Sequence, residues 1–140
     1  MSKFRTVFEN VRLRTGMYIV DATYESVAAF VLGYDIACEG GVLVGFREWL
    51  IPRVGTGNNQ GWPELALYLA FPEADRRVPV RLTAEMQKHA IDSLFRTISE
   101  FDDARRNRGG GLRKVYLEYE RWLRTQSWYD PSSPEWLGEP

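Results

Sequence analysis

Apolar residues in this chain recur every three or four positions, in short runs that glycine and proline cut off from one another. That pattern commits the chain to a set of short amphipathic helices. The longest run follows Thr83, a good N-cap residue, and carries Gln87, Ile91, Leu94, Phe95, Ile98 and Phe101 on one broad face as far as about Arg106. Asn107 through Gly111 breaks the chain, and Leu112, Val115, Tyr116, Tyr119, Trp122 and Leu123 resume the spacing. At the other end Phe4, Val7, Phe8 and Val11 mark a short helix that Thr15-Gly16 is expected to stop. Tyr24 to Cys38 is the second segment, with Val27, Phe30, Val31 and Tyr34 in phase and Gly40-Gly41 at its end. Gly33 inside it costs about 1 kcal/mol relative to Ala and would permit a close helix crossing. Val42 to Val54 is the third, with Phe46, Trp49, Leu50 and Arg53 on one side and Pro52 near the end. Trp62-Pro63 suits the start of a fourth, running through Leu69.

The expected fold is therefore all-α: a compact bundle of five or six helices. Val78, Val80 and Leu82 alternate and leave room for one short edge strand near 78–82. A single helical domain over residues 1–129 would be followed by an irregular tail over 130–140, where Asp130-Pro131-Ser132-Ser133-Pro134 ends regular structure. At 140 residues such a domain buries a core without staples.

The formal net charge of -1 gives no global attraction to nucleic acid or an acidic membrane. Locally, Arg105, Arg106, Arg108, Arg113 and Lys114 flank a triple glycine and offer a phosphate-gripping alternative, opposed by the adjacent Asp102 and Asp103. Cys38 is the only cysteine, which excludes an intramolecular disulfide and a cysteine-based zinc site; its place after an apolar run reads as a buried thiol. No segment has signal-peptide or membrane-spanning character, so a cytoplasmic protein is expected.

No catalytic set, metal site or cofactor signature emerges. Gly55-x-Gly57-x-x-x-Gly61 before a helix has the flavour of a phosphate loop, but the spacing fits neither the dinucleotide nor the P-loop form. His89, the only histidine, sits four residues after Glu85, a pair that supports a helix. Glu118 and Glu120 lie two apart on a helix and point to different faces, so they cannot flank one bond. Val11-Arg12-Leu13-Arg14-Thr15-Gly16-Met17-Tyr18-Ile19 resembles the V-R-x-R-P-G-M-Y-I stretch of the type II topoisomerase ATPase domain. That family places a metal-binding Asn four residues after its catalytic Glu; here Ala29 follows Glu25 at that spacing, which removes the ATPase reading.

Five Trp, seven Tyr and seven Phe make the chain rich in aromatics; most are expected in the core, and those left for a partner surface would serve as anchors there. Gly45-Phe46-Arg47-Glu48-Trp49-Leu50, the polar loop, and Gly61-Trp62-Pro63-Glu64-Leu65 together resemble stretches of small bacterial immunity proteins that accompany polymorphic or contact-dependent toxins. The resemblance implies a stoichiometric inhibitor that plugs a toxin domain and carries no chemistry of its own. Two surfaces are candidates. One is Asn58, Asn59 and Gln60 with Trp62, joined by Glu48. The other is the acidic tail with Trp128, Tyr129, Asp130, Glu135 and Trp136, suited to a basic toxin. The alternatives are a small helical enzyme or ligand-binding domain and a nucleic-acid-binding regulator; a homodimer is compatible with each.

Overall fold

Helix α6 (Ala84–Arg106) is the element around which the others arrange themselves in this computed structural model, which describes residues 2–130. Its 23 residues give it a length of about 34 Å. The remaining helices are α1 (Lys3–Leu13), α2 (Thr15–Tyr18), α3 (Tyr24–Ala37), α4 (Phe46–Val54), α5 (Trp62–Ala70) and α7 (Gly111–Arg124). α6 packs against α1, α3, α4, α5 and α7, and α4 also packs against α5 and α7. The chain is mainly helical, with no strand among the described residues.

The face of α6 foretold by its spacing is buried: Ile91, Leu94, Phe95, Ile98 and Phe101 are all nearly inaccessible. Phe101 meets Phe46 and Trp49 of α4, with ring centroids 5.3 and 5.8 Å away. At the same end Asp102, 1% exposed, receives Arg105 Nε and Arg106 Nε at 2.9 Å each and lies 3.6 Å from Arg5 of α1. Arg105 also donates to the carbonyls of Gly41 and Val42, tying that turn to α6. A buried carboxylate needs such partners, because its charge is otherwise uncompensated.

Several sequence expectations are corrected. Residues 78–82 form no edge strand. Val78 is 55% exposed, while Val80 and Leu82 pack on the core and the Val80 amide lies 3.4 Å from Glu64 Oε1. A lone strand would leave its backbone groups unpaired. α1 stops at Leu13, ahead of Thr15-Gly16 as expected, but those two residues then open the short α2, with the Thr15 hydroxyl donating to the Val11 carbonyl at 2.8 Å. The third segment becomes helical only at Phe46. Before it, the amides of Val42 and Leu43 donate to Asp35 Oδ1, and Gly45 holds a left-handed φ of 86°. A Cβ at Gly45 would sit 2.7 Å from Leu112 Cδ2. Cys38 is exposed: it keeps the phase of the buried Tyr24 and Val31 but stands at the C-cap, past Ala37, the last residue of α3. Gly33 makes no close crossing: nothing lies within 4 Å of where its Cβ would stand.

Candidate partner-binding site

The polar loop 55–61 is fixed from inside. Gly55 ends α4 with φ 82°, and Gly57, at φ 89°, turns the chain where a Cβ would come within 2.6 Å of Leu65 and 2.7 Å of Gln60. Arg47 of α4 reaches into the turn and donates to the carbonyls of Asn58 and Gln60. The Gln60 side chain donates to the Tyr68 hydroxyl at 3.0 Å, and Tyr68 donates onward to the Arg76 carbonyl. The loop thus turns carbonyls towards a guanidinium. A phosphate loop would turn N–H groups towards an anion, so the glycine pattern has a different purpose here.

Helix α7 supplies the opposite wall. Tyr116, Tyr119 and Trp122 follow one another at i, i+3 and i+6, on the side that α7 turns towards α4 and the loop. Tyr119 donates its hydroxyl proton to Asn58 Oδ1 at 2.5 Å, joining the two walls. The Tyr119 and Trp122 rings lie nearly parallel, 6.4 Å apart, and Trp128 meets Trp122 edge-on at 6.2 Å. Trp128 remains 56% exposed. Between loop and helix end is a cavity of about 330 Å³, walled by Thr56, Asn58, Asn59, Trp122, Gln126 and Trp128. Among the described residues no ionisable side chain lines it. On the far side of Arg47, Glu39, Val44, Glu48, Trp62 and Tyr116 border a wider, open hollow of about 590 Å³. Burial pushes the Tyr116 phenol above its ordinary pKa of 10.0, and the Glu48 carboxylate adds to the rise.

Part of each surface separated in the sequence therefore meets here. Asn58 and Asn59 share a cavity with Trp128. Glu48 and Trp62 border the neighbouring hollow, and Trp62 also packs on the core beside Phe46 at 5.9 Å. Gln60 turns inward to Tyr68 and braces the loop. Tyr129 is partly buried and Asp130 exposed; Glu135 and Trp136 lie outside the described residues. Sequence reasoning missed Arg47, Thr56, Gln126, Tyr119 and Trp122 as site residues. The aromatic spacing of α7 was visible, but spacing alone does not distinguish a core face from a cavity wall.

Other chemistry finds no assembly among the described residues. No group of three or more His, Cys, Asp and Glu is placed to hold a metal ion. His89 Nε2 lies 3.0 Å from the Ala70 carbonyl, with its ring edge-on to Phe71. Glu118 lies 4.0 Å from Lys114 and Glu120 pairs with Arg124 at 2.7 Å. Within the basic stretch, Arg105 and Arg106 are engaged by Asp102, which weakens the nucleic-acid alternative. No described helix is long and apolar enough to cross a membrane. No protein-family model, no curated protein and no solved structure matches the chain.

Proposed function

We propose that this protein is a binding module of immunity type, a cytoplasmic stoichiometric inhibitor whose helical bundle presents the Asn58–Asn59 loop and Trp128 to a bacterial toxin domain. The observation that carries the reading is the convergence of an exposed Trp128 with a loop fixed in advance by Arg47 and Tyr119. An indole at the rim of a pre-formed cavity is a favourable anchor, because little ordering entropy remains to be lost on binding. The amides of Asn58, Asn59 and Gln126 add hydrogen-bonding groups that suit a partner's main chain.

The test is capture of the partner from the native host by tagged intact protein, repeated with Trp128→Ala and Asn59→Ala, followed by measurement of the complex's mass. The proposal expects one toxin-domain partner at 1:1 stoichiometry, with binding weakened by about tenfold or more in Trp128→Ala. Capture of one partner unaffected by either substitution would remove this surface from the interface. A second reading, a small-molecule site, draws on the cavity's volume and uncharged lining. It expects quenching or enhancement of Trp128 fluorescence by a neutral small ligand and no protein partner.

A further inference from the structure

Helix α3 has an outward face that the described residues leave uncovered. Glu25, Ala29, Leu32 and Ile36, at i, i+4, i+7 and i+11, are all exposed, as are Gly33 and Ala37 beside them. Leu32 is 46% and Ile36 68% exposed. Soluble helices normally carry charge on such a face. Here the only charged residue among these is Glu25.

Gly33 adds a second anomaly. It lies in the helix interior and has no positive φ, and the space around it is empty. Alanine would favour the helix there, so nothing among the described residues calls for glycine. A close-packed partner helix would, since small residues set how near two helix axes approach.

Charge identifies the occupant. Residues 15–46 contain no lysine, arginine or histidine and four carboxylates: Asp21, Glu25, Asp35 and Glu39. The Asp35 carboxylate is turned inward to the amides of Val42 and Leu43. Asp21, Glu25 and Glu39 are exposed, one set at the start of α3 and the other just past its end. Near Glu39, Arg105 is held by Asp102 and Arg47 by the 58–60 loop. A second copy of this chain packed antiparallel about Leu32 would bring Glu25 opposite Glu39. Packed parallel, it would set each Glu against its counterpart, so like charges oppose both arrangements. The same carboxylates repel an anionic bilayer.

We propose that the α3 face docks a basic amphipathic helix of another protein, its apolar ridge on Ala29, Leu32, Gly33 and Ile36 and its cations at Glu25 and Glu39. At Glu39 this surface meets the hollow bordered by Glu48 and Tyr116, but its apolar ridge shares no residue with the cavity between the loop and α7, and the proposal stands independently of that reading.

The test titrates the isotope-labelled full chain with a synthetic amphipathic leucine/lysine helix, and with a leucine/glutamate peptide of identical pattern. The expected result is binding of the lysine peptide alone, weakened by added salt, with amide shifts concentrated on residues 29–37. Ile36→Lys, at an exposed position that tolerates charge, should weaken binding about tenfold or more. Gly33→Ala should raise the melting temperature by about 3 °C and yet weaken binding, a split that a purely structural glycine would not show. Equal binding of both peptides, or shifts centred away from α3, would overturn the proposal. So would sedimentation as a dimer that Ile36→Lys dissociates, which would make a second copy the occupant.

Discussion

Gly55 and Gly57 form a matched pair within the candidate site. Both hold left-handed backbone, at φ 82° and 89°, and an alanine at either pays the same conformational penalty of about 1–2 kcal/mol. Their surroundings differ. Nothing lies within 4 Å of a Cβ at Gly55, whereas a Cβ at Gly57 would stand 2.6 Å from Leu65 Cδ2 and 2.7 Å from Gln60 Oε1. Leu65 is fully buried and cannot retreat freely. Gln60 is held by Tyr68, so its retreat would break a hydrogen bond. Forced overpacking of this kind adds about 1–3 kcal/mol. Gly55→Ala should therefore cost about 1–2 kcal/mol and Gly57→Ala about 2–5 kcal/mol. In thermal melts, one kcal/mol corresponds to about 3 °C for a chain of this size, so the variants should separate by about 3–9 °C. Urea denaturation with a common m-value would give the same difference directly. Equal losses at the two positions would refute the packing argument and show that the loop yields around Leu65.

Three further outcomes are expected. Arg47→Met keeps an apolar stem but removes the donors to the Asn58 and Gln60 carbonyls; hydrogen exchange over residues 56–61 should quicken while α6 stays protected, and unchanged exchange would mean the loop holds itself. Asp102→Ala leaves Arg5, Arg105 and Arg106 without their shared carboxylate and should cost about 3 kcal/mol in chemical denaturation; a loss within about 0.5 kcal/mol would show that these cations are satisfied by water. Tyr24, 2% exposed, donates to the Pro63 carbonyl, and burial followed by the nearby Glu64 raises its phenol pKa well above 10.0. Its stabilising contribution is complete below pH 10, where the unfolded phenol also keeps its proton, and is lost as pH climbs towards the folded value. Tyr24→Phe should lose about 1 kcal/mol at pH 7 and show a flatter decline above pH 10 than the parent; parallel declines in pH-dependent melts would contradict this.

Helix positions were legible because they depend on neighbours in the chain. The phase of Ile91, Leu94, Phe95, Ile98 and Phe101 defined the buried side of α6, and Trp62-Pro63 marked the start of α5. The same local signals misplaced Cys38. Its phase matches the buried Tyr24 and Val31, but α3 ends at Ala37, and spacing does not show where a helix runs out of cover. The false strand at 78–82 arose from an alternation too short to recruit a partner. Asn58 and Trp128 were each legible as candidates, but not as neighbours.

What the sequence alone determined, then, is a series of helices, their phase and their breaks, because apolar spacing and glycine or proline conformation act over a few residues. Only tertiary packing decided that Arg47 pins the 55–61 loop, that Asp102 collects three arginines, and that a loop and a helix end some seventy positions apart share one cavity. Those outcomes depend on which faces meet, and that choice is a sum of many weak contacts between distant segments, none of which any local pattern contains.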